Sequence, residues 1–233
     1  MAHNKRINGA RALVERDKFY TLDGALNILE QYSEKFKSKF DESVEVVFKL
    51  GVDPRHSDQM VRGVILMPHG LGKKVRVAVV AKNERHEEAL KAGADIVGSE
   101  DLVEKVKGGE INFDVCIATP DFMPKMATLG KILGTKGLMP NPKLGTVSDN
   151  IAIAVKNAKS GQVEYKVEKA GLIHAGVGKL SFALSALKEN IAALYNAVLN
   201  AKPAGAKGIY MQKMYIGTTH GPSVALDLRN MLV

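Results

Sequence analysis

Val75-Arg76-Val77-Ala78-Val79-Val80-Ala81 opens a pattern that continues through the charged stretch from Glu84 to Ala92, Asp95-Ile96-Val97, Glu100 to Val106, and Val115-Cys116-Ile117-Ala118. The first and last segments are near-continuous apolar runs, whereas the two charged stretches have the length and composition of helices. The reading is β-α-β-α-β. Strands apolar on both faces that alternate with helices imply a small parallel sheet covered on both sides. Helices over 121–133 and 150–159 would complete it.

The flanking thirds are written in a different style. Leu22, Ala25, Leu26 and Leu29 recur at helical spacing behind Thr21, which predicts a capped helix over 22–36. In Ser43-Val44-Glu45-Val46-Val47-Phe48-Lys49-Leu50 the apolar side chains alternate with Ser43, Glu45 and Lys49, the period of a half-buried strand. After the turn signal Asp53-Pro54-Arg55, Gly63-Val64-Ile65-Leu66 suggests a second strand, and Pro68-His69-Gly70-Leu71-Gly72-Lys73 reads as a linker. Beyond Gly161 the alternating style returns in Val163–Val167 and Leu172–Ala175, read as antiparallel strands. A long amphipathic helix over 182–199 follows, then closing strands over 210–216 and 224–228.

Composition limits the partners. Lys and Arg total 33 against 25 Asp and Glu, a net charge of +8 that favours a polyanion such as RNA over an anionic membrane surface. The excess is spread through the chain, which argues for folded basic surfaces instead of one disordered arm. The single cysteine, Cys116, sits in an apolar run and rules out a disulfide framework. The start, Met-Ala-His-Asn-Lys-Arg, has no apolar stretch behind its charges, and no membrane span is visible, so a cytoplasmic location is expected.

One loop concentrates basic charge. Between Asp121 and Asp149 there is no acidic residue, while Lys125, Lys131, Lys136 and Lys143 stand among Gly130, Gly134, Gly137 and Gly145. Glycines allow close backbone approach and lysines attract phosphate, so this stretch is a candidate RNA contact. A solvated connecting loop is the plainer alternative.

The chain resembles the L-one family of large-subunit ribosomal proteins, and nearly end to end. The likeness is carried by Phe40-Asp41-Glu42-Ser43-Val44-Glu45-Val46, Leu50-Gly51-Val52-Asp53-Pro54-Arg55, Pro68-His69-Gly70-Leu71-Gly72-Lys73, Ala118-Thr119-Pro120-Asp121, Leu129 to Val147, Ile173-His174-Ala175 and Thr218-Thr219-His220-Gly221-Pro222-Ser223. The resemblance implies a fold of α/β and α+β type with two domains. A split α+β RNA-binding domain is formed by 1–67 and 160–233, and a three-layer, Rossmann-like α/β domain, 68–159, is inserted into it. Two adjacent linkers would make a hinge. It also implies a monomer when free, without cofactor, metal or membrane, located in the ribosome. Its partners would be large-subunit ribosomal RNA, transfer RNA leaving the exit site, and the messenger of its own operon, which it would repress.

Carried over by position, the resemblance puts the ribosomal-RNA site at Lys39, Phe40, Ser43 and Glu45, joined by Thr219, His220, Gly221 and Ser223. Lys169, Gly171 and His174 lie at its edge, and the lysine loop is a secondary contact. Hydroxyls can pair with ribose and phosphate, Phe40 offers an apolar plate, and Glu45 could accept from a base amino group. The chain departs from the family's usual pattern at His220, commonly methionine, and at Ser43, commonly threonine. Taken without the resemblance, Phe40 reads as a core side chain, Glu45 and Lys49 as a solvated pair, and Thr219–Ser223 as an ordinary turn.

Signals for catalysis are sparse. Gly72-Lys73, Gly130-Lys131 and Gly178-Lys179 lack the Ser or Thr of a phosphate-binding loop, and His86-Glu87-Glu88 lacks the second histidine of a zinc-protease helix. Asp114 and Asp121 near a strand end are the remaining acid–base candidates. Two alternatives to a fitted RNA-binding protein stay open: an enzyme holding a nucleotide at the carboxyl edge of the sheet, and an RNA chaperone acting by charge alone.

Overall fold

The protein is described here from a computed structural model, over residues 5–36 and 38–230. In chain order the first elements are α1 (Lys5–Arg11), α2 (Leu22–Lys35), β1 (Ser43–Leu50) and β2 (Arg62–Leu66). They are followed by β3 (Val77–Val80), α3 (His86–Lys91), β4 (Ile96–Gly98), α4 (Glu100–Lys107), β5 (Val115–Ala118), α5 (Met123–Ala127), α6 (Gly130–Leu133) and α7 (Ile151–Lys159). The chain closes with β6 (Gln162–Lys166), β7 (Leu172–Lys179), α8 (Leu184–Asn200), β8 (Met211–Thr218) and β9 (Ser223–Leu226). Packing groups it into two compact units, one made of residues up to Gly72 together with Val163 onward, the other of Lys73–Gln162. Among the described residues no helix is long and apolar enough to cross a membrane.

The first unit is built on a four-stranded sheet of order β7-β1-β8-β9, with β1 antiparallel to both β7 and β8. The alternation in β1 turns Val44, Val46, Phe48 and Leu50 inward, each at most 3% exposed. Helices α2 and α8 cover that face: Leu26 and Leu29 from one, and Leu187, Ile191, Leu194 and Val198 from the other, join the same core. Each such aliphatic or aromatic side chain contributes about 1.5 to 3 kcal/mol by leaving water, so the sheet has one dry and one wet side. Thr21 caps α2 as expected, its Oγ1 accepting from Gly24 N. Strand β6 pairs with β2 in a separate two-stranded sheet and not with β7. The tight turn at Glu168–Gly171 joins β6 to β7, with Gly171 at φ +75, but each strand takes a different partner.

The second unit has the expected parallel sheet, order β4-β3-β5, with β3 in the middle. Val77 to Val80 are buried on both faces, between an α4–α6 layer and an α3–α7 layer. Here the expectation of one helix over 121–133 fails. A 3-10 turn at Pro120–Phe122 leads into α5, which ends at Ala127, and α6 restarts at Gly130. The Thr128 hydroxyl donates to Lys125 O at 2.7 Å, and Leu129 N bonds Met126 O, three residues back, at 2.9 Å. This tightening rotates the chain so that Leu129 and Leu133 both reach the core at 0% exposure. Helix α1 was not anticipated, because Lys-Arg-Ile-Asn-Gly-Ala-Arg has no apolar period.

Candidate nucleic-acid interface

Glu42, just before β1, organises the wet end of the large sheet. It is 1% exposed, and its carboxylate accepts from Arg6 Nη2 at 2.8 Å, Tyr32 OH at 3.1 Å, Thr218 Oγ1 at 2.7 Å, His220 N at 3.1 Å, and the Ser38 hydroxyl. Desolvation pushes its pKa up, but hydrogen bonds from Ser38, Thr218, His220 N and Tyr32 outweigh that and bring it down to about 2. The carboxylate is therefore ionised, and it ties α1, α2, the 38–41 segment and the 218–221 loop to one point. Nothing in the local sequence marks this role. Its partners come from both chain ends.

The loop held this way carries the residues named from sequence. Ser43 N donates to Thr219 Oγ1 at 3.1 Å while Thr219 N donates to Ser43 O at 3.1 Å, a reciprocal pair that zips the loop to β1. Gly221 has no room for a side chain: a Cβ there would lie 2.3 Å from Thr218 Oγ1. Phe40 is 50% exposed and not a core residue, and the His220 ring meets its edge, with centroids 5.2 Å apart and an 82° angle between planes. The imidazole thus supports Phe40. Lys179, missed as a site residue, donates to Ser43 Oγ at 2.9 Å. The serine proton is left for an outside acceptor.

Register places the rest on the same wet face. Glu45 lies opposite Gly176 on β7 and Gly217 on β8, and Gly217 in turn lies opposite Ser223 on β9. Flanked by glycines, Glu45 stands exposed without a hydrogen bond or ion pair among the described residues, so the solvated pair with Lys49 does not form. His174 lies across from Val47, one row further along the same face. Lys39 is exposed beside Phe40.

Lys169 and Gly171 do not join this group. Gly171 O accepts from Leu50 N at 2.9 Å, at the opposite end of β1 from Ser43. The seven steps between Ser43 and Leu50 correspond to about 23 Å at ~3.3 Å per residue. Lys169 and His174 line another hollow there, with Pro54 and Met60.

In the second unit Lys131, Lys136 and Lys143 are exposed and have no acidic partner among the described residues. Lys125 differs: it is ion-paired with Glu100 and its ammonium lies 5.5 Å from the Phe122 ring centre. Asp114 and Asp121 fall at opposite ends of β5, held by Arg76 at 3.2 Å and Lys82 at 2.7 Å. Those hydrogen bonds lower both carboxyl pKa values, which suits ion pairing and not proton transfer near neutral pH. Burial pushes the Cys116 thiol up to about 12.

The chain is 55% identical over 231 residues to the large ribosomal subunit protein uL1 of Rickettsia akari (strain Hartford), covering 99% of this chain and 95% of the relative. It is 56% identical over 227 residues to the protein of the same name from Rickettsia peacockii (strain Rustic), covering 97% and 94%. Both relatives are named as proteins of the large ribosomal subunit, which sets aside the nucleotide-binding enzyme. With residues 29–222 matching the family's own pattern as well, the chain belongs to the ribosomal protein L1p/L10e family.

Proposed function

We propose that this chain is a protein of the large ribosomal subunit that binds large-subunit ribosomal RNA through the wet end of its four-stranded sheet. The observation that carries the reading is the set of groups presented together there: the propped Phe40 ring, the hydroxyls of Ser43, Thr219 and Ser223, the carboxylate of Glu45, and Lys39. A half-exposed aromatic ring suits a ribose or an unstacked base, and the hydroxyls suit 2′-hydroxyls and phosphates. Glu45 would be repelled by a phosphate backbone, so at this position it suits a base amino group and gives selectivity that charge alone does not.

On this proposal residues 1–67 with 160–233 form the ribosomal-RNA-binding domain. The inserted domain, residues 68–159, presents Lys131, Lys136 and Lys143 to transfer RNA leaving the exit site. A messenger leader that copies the ribosomal target would occupy the same site and let the protein repress its own operon. The test is binding of the purified protein to a stalk fragment of large-subunit ribosomal RNA and to an unrelated folded RNA of equal length at physiological salt. A preference of about 100-fold or more, ~2.7 kcal/mol, is expected, with most of it lost in Thr219→Ala. Equal binding to both RNAs leaves only a basic surface and refutes the proposal.

A further inference from the structure

Two arginines outside the site described above border it, and the fold gives neither an acidic partner. Arg11 ends α1 and Arg16 follows in the next turn; both are exposed, and neither makes an ion pair or side-chain hydrogen bond among the described residues. They line two adjoining hollows of about 420 Å³ and about 360 Å³, which share Arg11, Gly221 and Pro222. Thr219 and His220 open onto the first hollow and Ser223 onto the second, and no acidic side chain lines either. The segment is held in place. Ala10 is 1% exposed, Leu13 and Val14 pack on the main core, and Glu15 N donates to Tyr20 OH at 3.0 Å.

We infer that Arg11 and Arg16 form a phosphate-binding trough that continues the RNA site past the 219–223 loop. This inference rests on the proposed function and extends it to a part of the chain that neither motif nor spacing marked. The ligand is the sugar–phosphate backbone of the bound RNA, one strand of which leaves the loop along α1. A guanidinium with no carboxylate to satisfy it keeps all its donors for phosphate oxygens, and a pre-set position limits the side-chain entropy lost on binding. The contacts set affinity and register and read no base.

The experiment is titration of the full chain with the stalk fragment between 50 and 200 mM KCl, for the wild type, R11Q/R16Q, R11K/R16K and K202Q/K207Q. The last pair removes equal charge from exposed positions beyond α8, outside the site. Loss of two phosphate contacts is expected to make the slope of log K against log salt shallower by about 1.4 to 1.8 in R11Q/R16Q. The same variant should bind about tenfold or more weakly at the low-salt end, with an unchanged thermal melting curve. R11K/R16K should keep the wild-type slope, and so should K202Q/K207Q. A wild-type slope in R11Q/R16Q, or an equal loss in K202Q/K207Q, overturns the inference. If Thr219→Ala still weakens stalk binding in that case, the RNA site stands and only the trough is wrong. If the wild type does not prefer the stalk fragment at all, the proposed function fails and the trough with it.

Discussion

Replacing Glu42 by glutamine keeps the size of the side chain but removes a negative charge from a position that is 1% exposed. The amide offers one acceptor oxygen in place of two, and its NH2 group turns toward donors such as Ser38, Arg6 or Thr218. The loss can be gauged in two ways. Lowering the carboxyl from 4.5 to about 2 corresponds to about 3 kcal/mol of preference for the charged form, at ~1.36 kcal/mol per pKa unit. Breaking a buried ion pair typically costs about 3 to 5 kcal/mol, reduced here because the Arg6 side chain is 32% exposed. Glu42→Gln should therefore lower the stability of the first unit by about 2 to 4 kcal/mol at pH 7.

The pH dependence follows from the sign of the shift. The folded pKa lies below the ordinary value, so the stabilisation is complete above about 4.5 and disappears as pH falls through about 2. Urea unfolding followed by far-ultraviolet circular dichroism at pH 7, 4 and 2.5 reads the gap between wild type and variant. Amide exchange of β1 assigns it to the right unit. A gap below about 0.5 kcal/mol at pH 7, or one that stays constant down to pH 2.5, refutes the reasoning.

Phe40→Ala removes a half-exposed ring whose neighbour is His220, so it should weaken stalk-RNA binding by about 1 to 3 kcal/mol while lowering stability by no more than about 1.5 kcal/mol. Filter binding and thermal melting separate the two effects, and unchanged affinity in a folded variant would remove Phe40 from the site. Gly221→Ala forces a methyl group to within 2.3 Å of Thr218 Oγ1, a donor to Glu42, so the loop must shift. It should cost about 1 to 3 kcal/mol of stability and weaken RNA binding, and a neutral result in both assays would contradict the described packing. With its thiol buried and its pKa pushed up to about 12, Cys116 should resist a thiol-exchange reagent at pH 8 until the chain is unfolded. Stoichiometric reaction of the native protein within minutes would show otherwise.

Periodicity alone decided the elements whose own residues determine which side faces the core. The alternation of Val44, Val46, Phe48 and Leu50 fixed the inner face of β1, and therefore the outer placement of Ser43 and Glu45. The doubly apolar Val77–Val80 and Val115–Ala118 likewise identified a covered parallel sheet before any pairing was known. Composition indicated a polyanionic partner, and the ordered motifs indicated the family. These features are local or additive along the chain, so a linear reading reaches them.

Tertiary structure decided what depends on residues distant in sequence. Phe40 is exposed because Glu42, clamped by groups from residues 6 to 220, holds its segment at the rim, where His220 can prop the ring. No window of sequence contains that set of partners. The pairing of β6 with β2 and the discharge of Lys125 by Glu100 have the same origin. In each, a neighbour supplied by the fold competes with the local preference and wins. Arg11 and Arg16 are the counterpart on the surface. In the sequence they are two positive charges among 33, and the fold alone sets them beside Thr219 and Ser223 without a carboxylate to neutralise them.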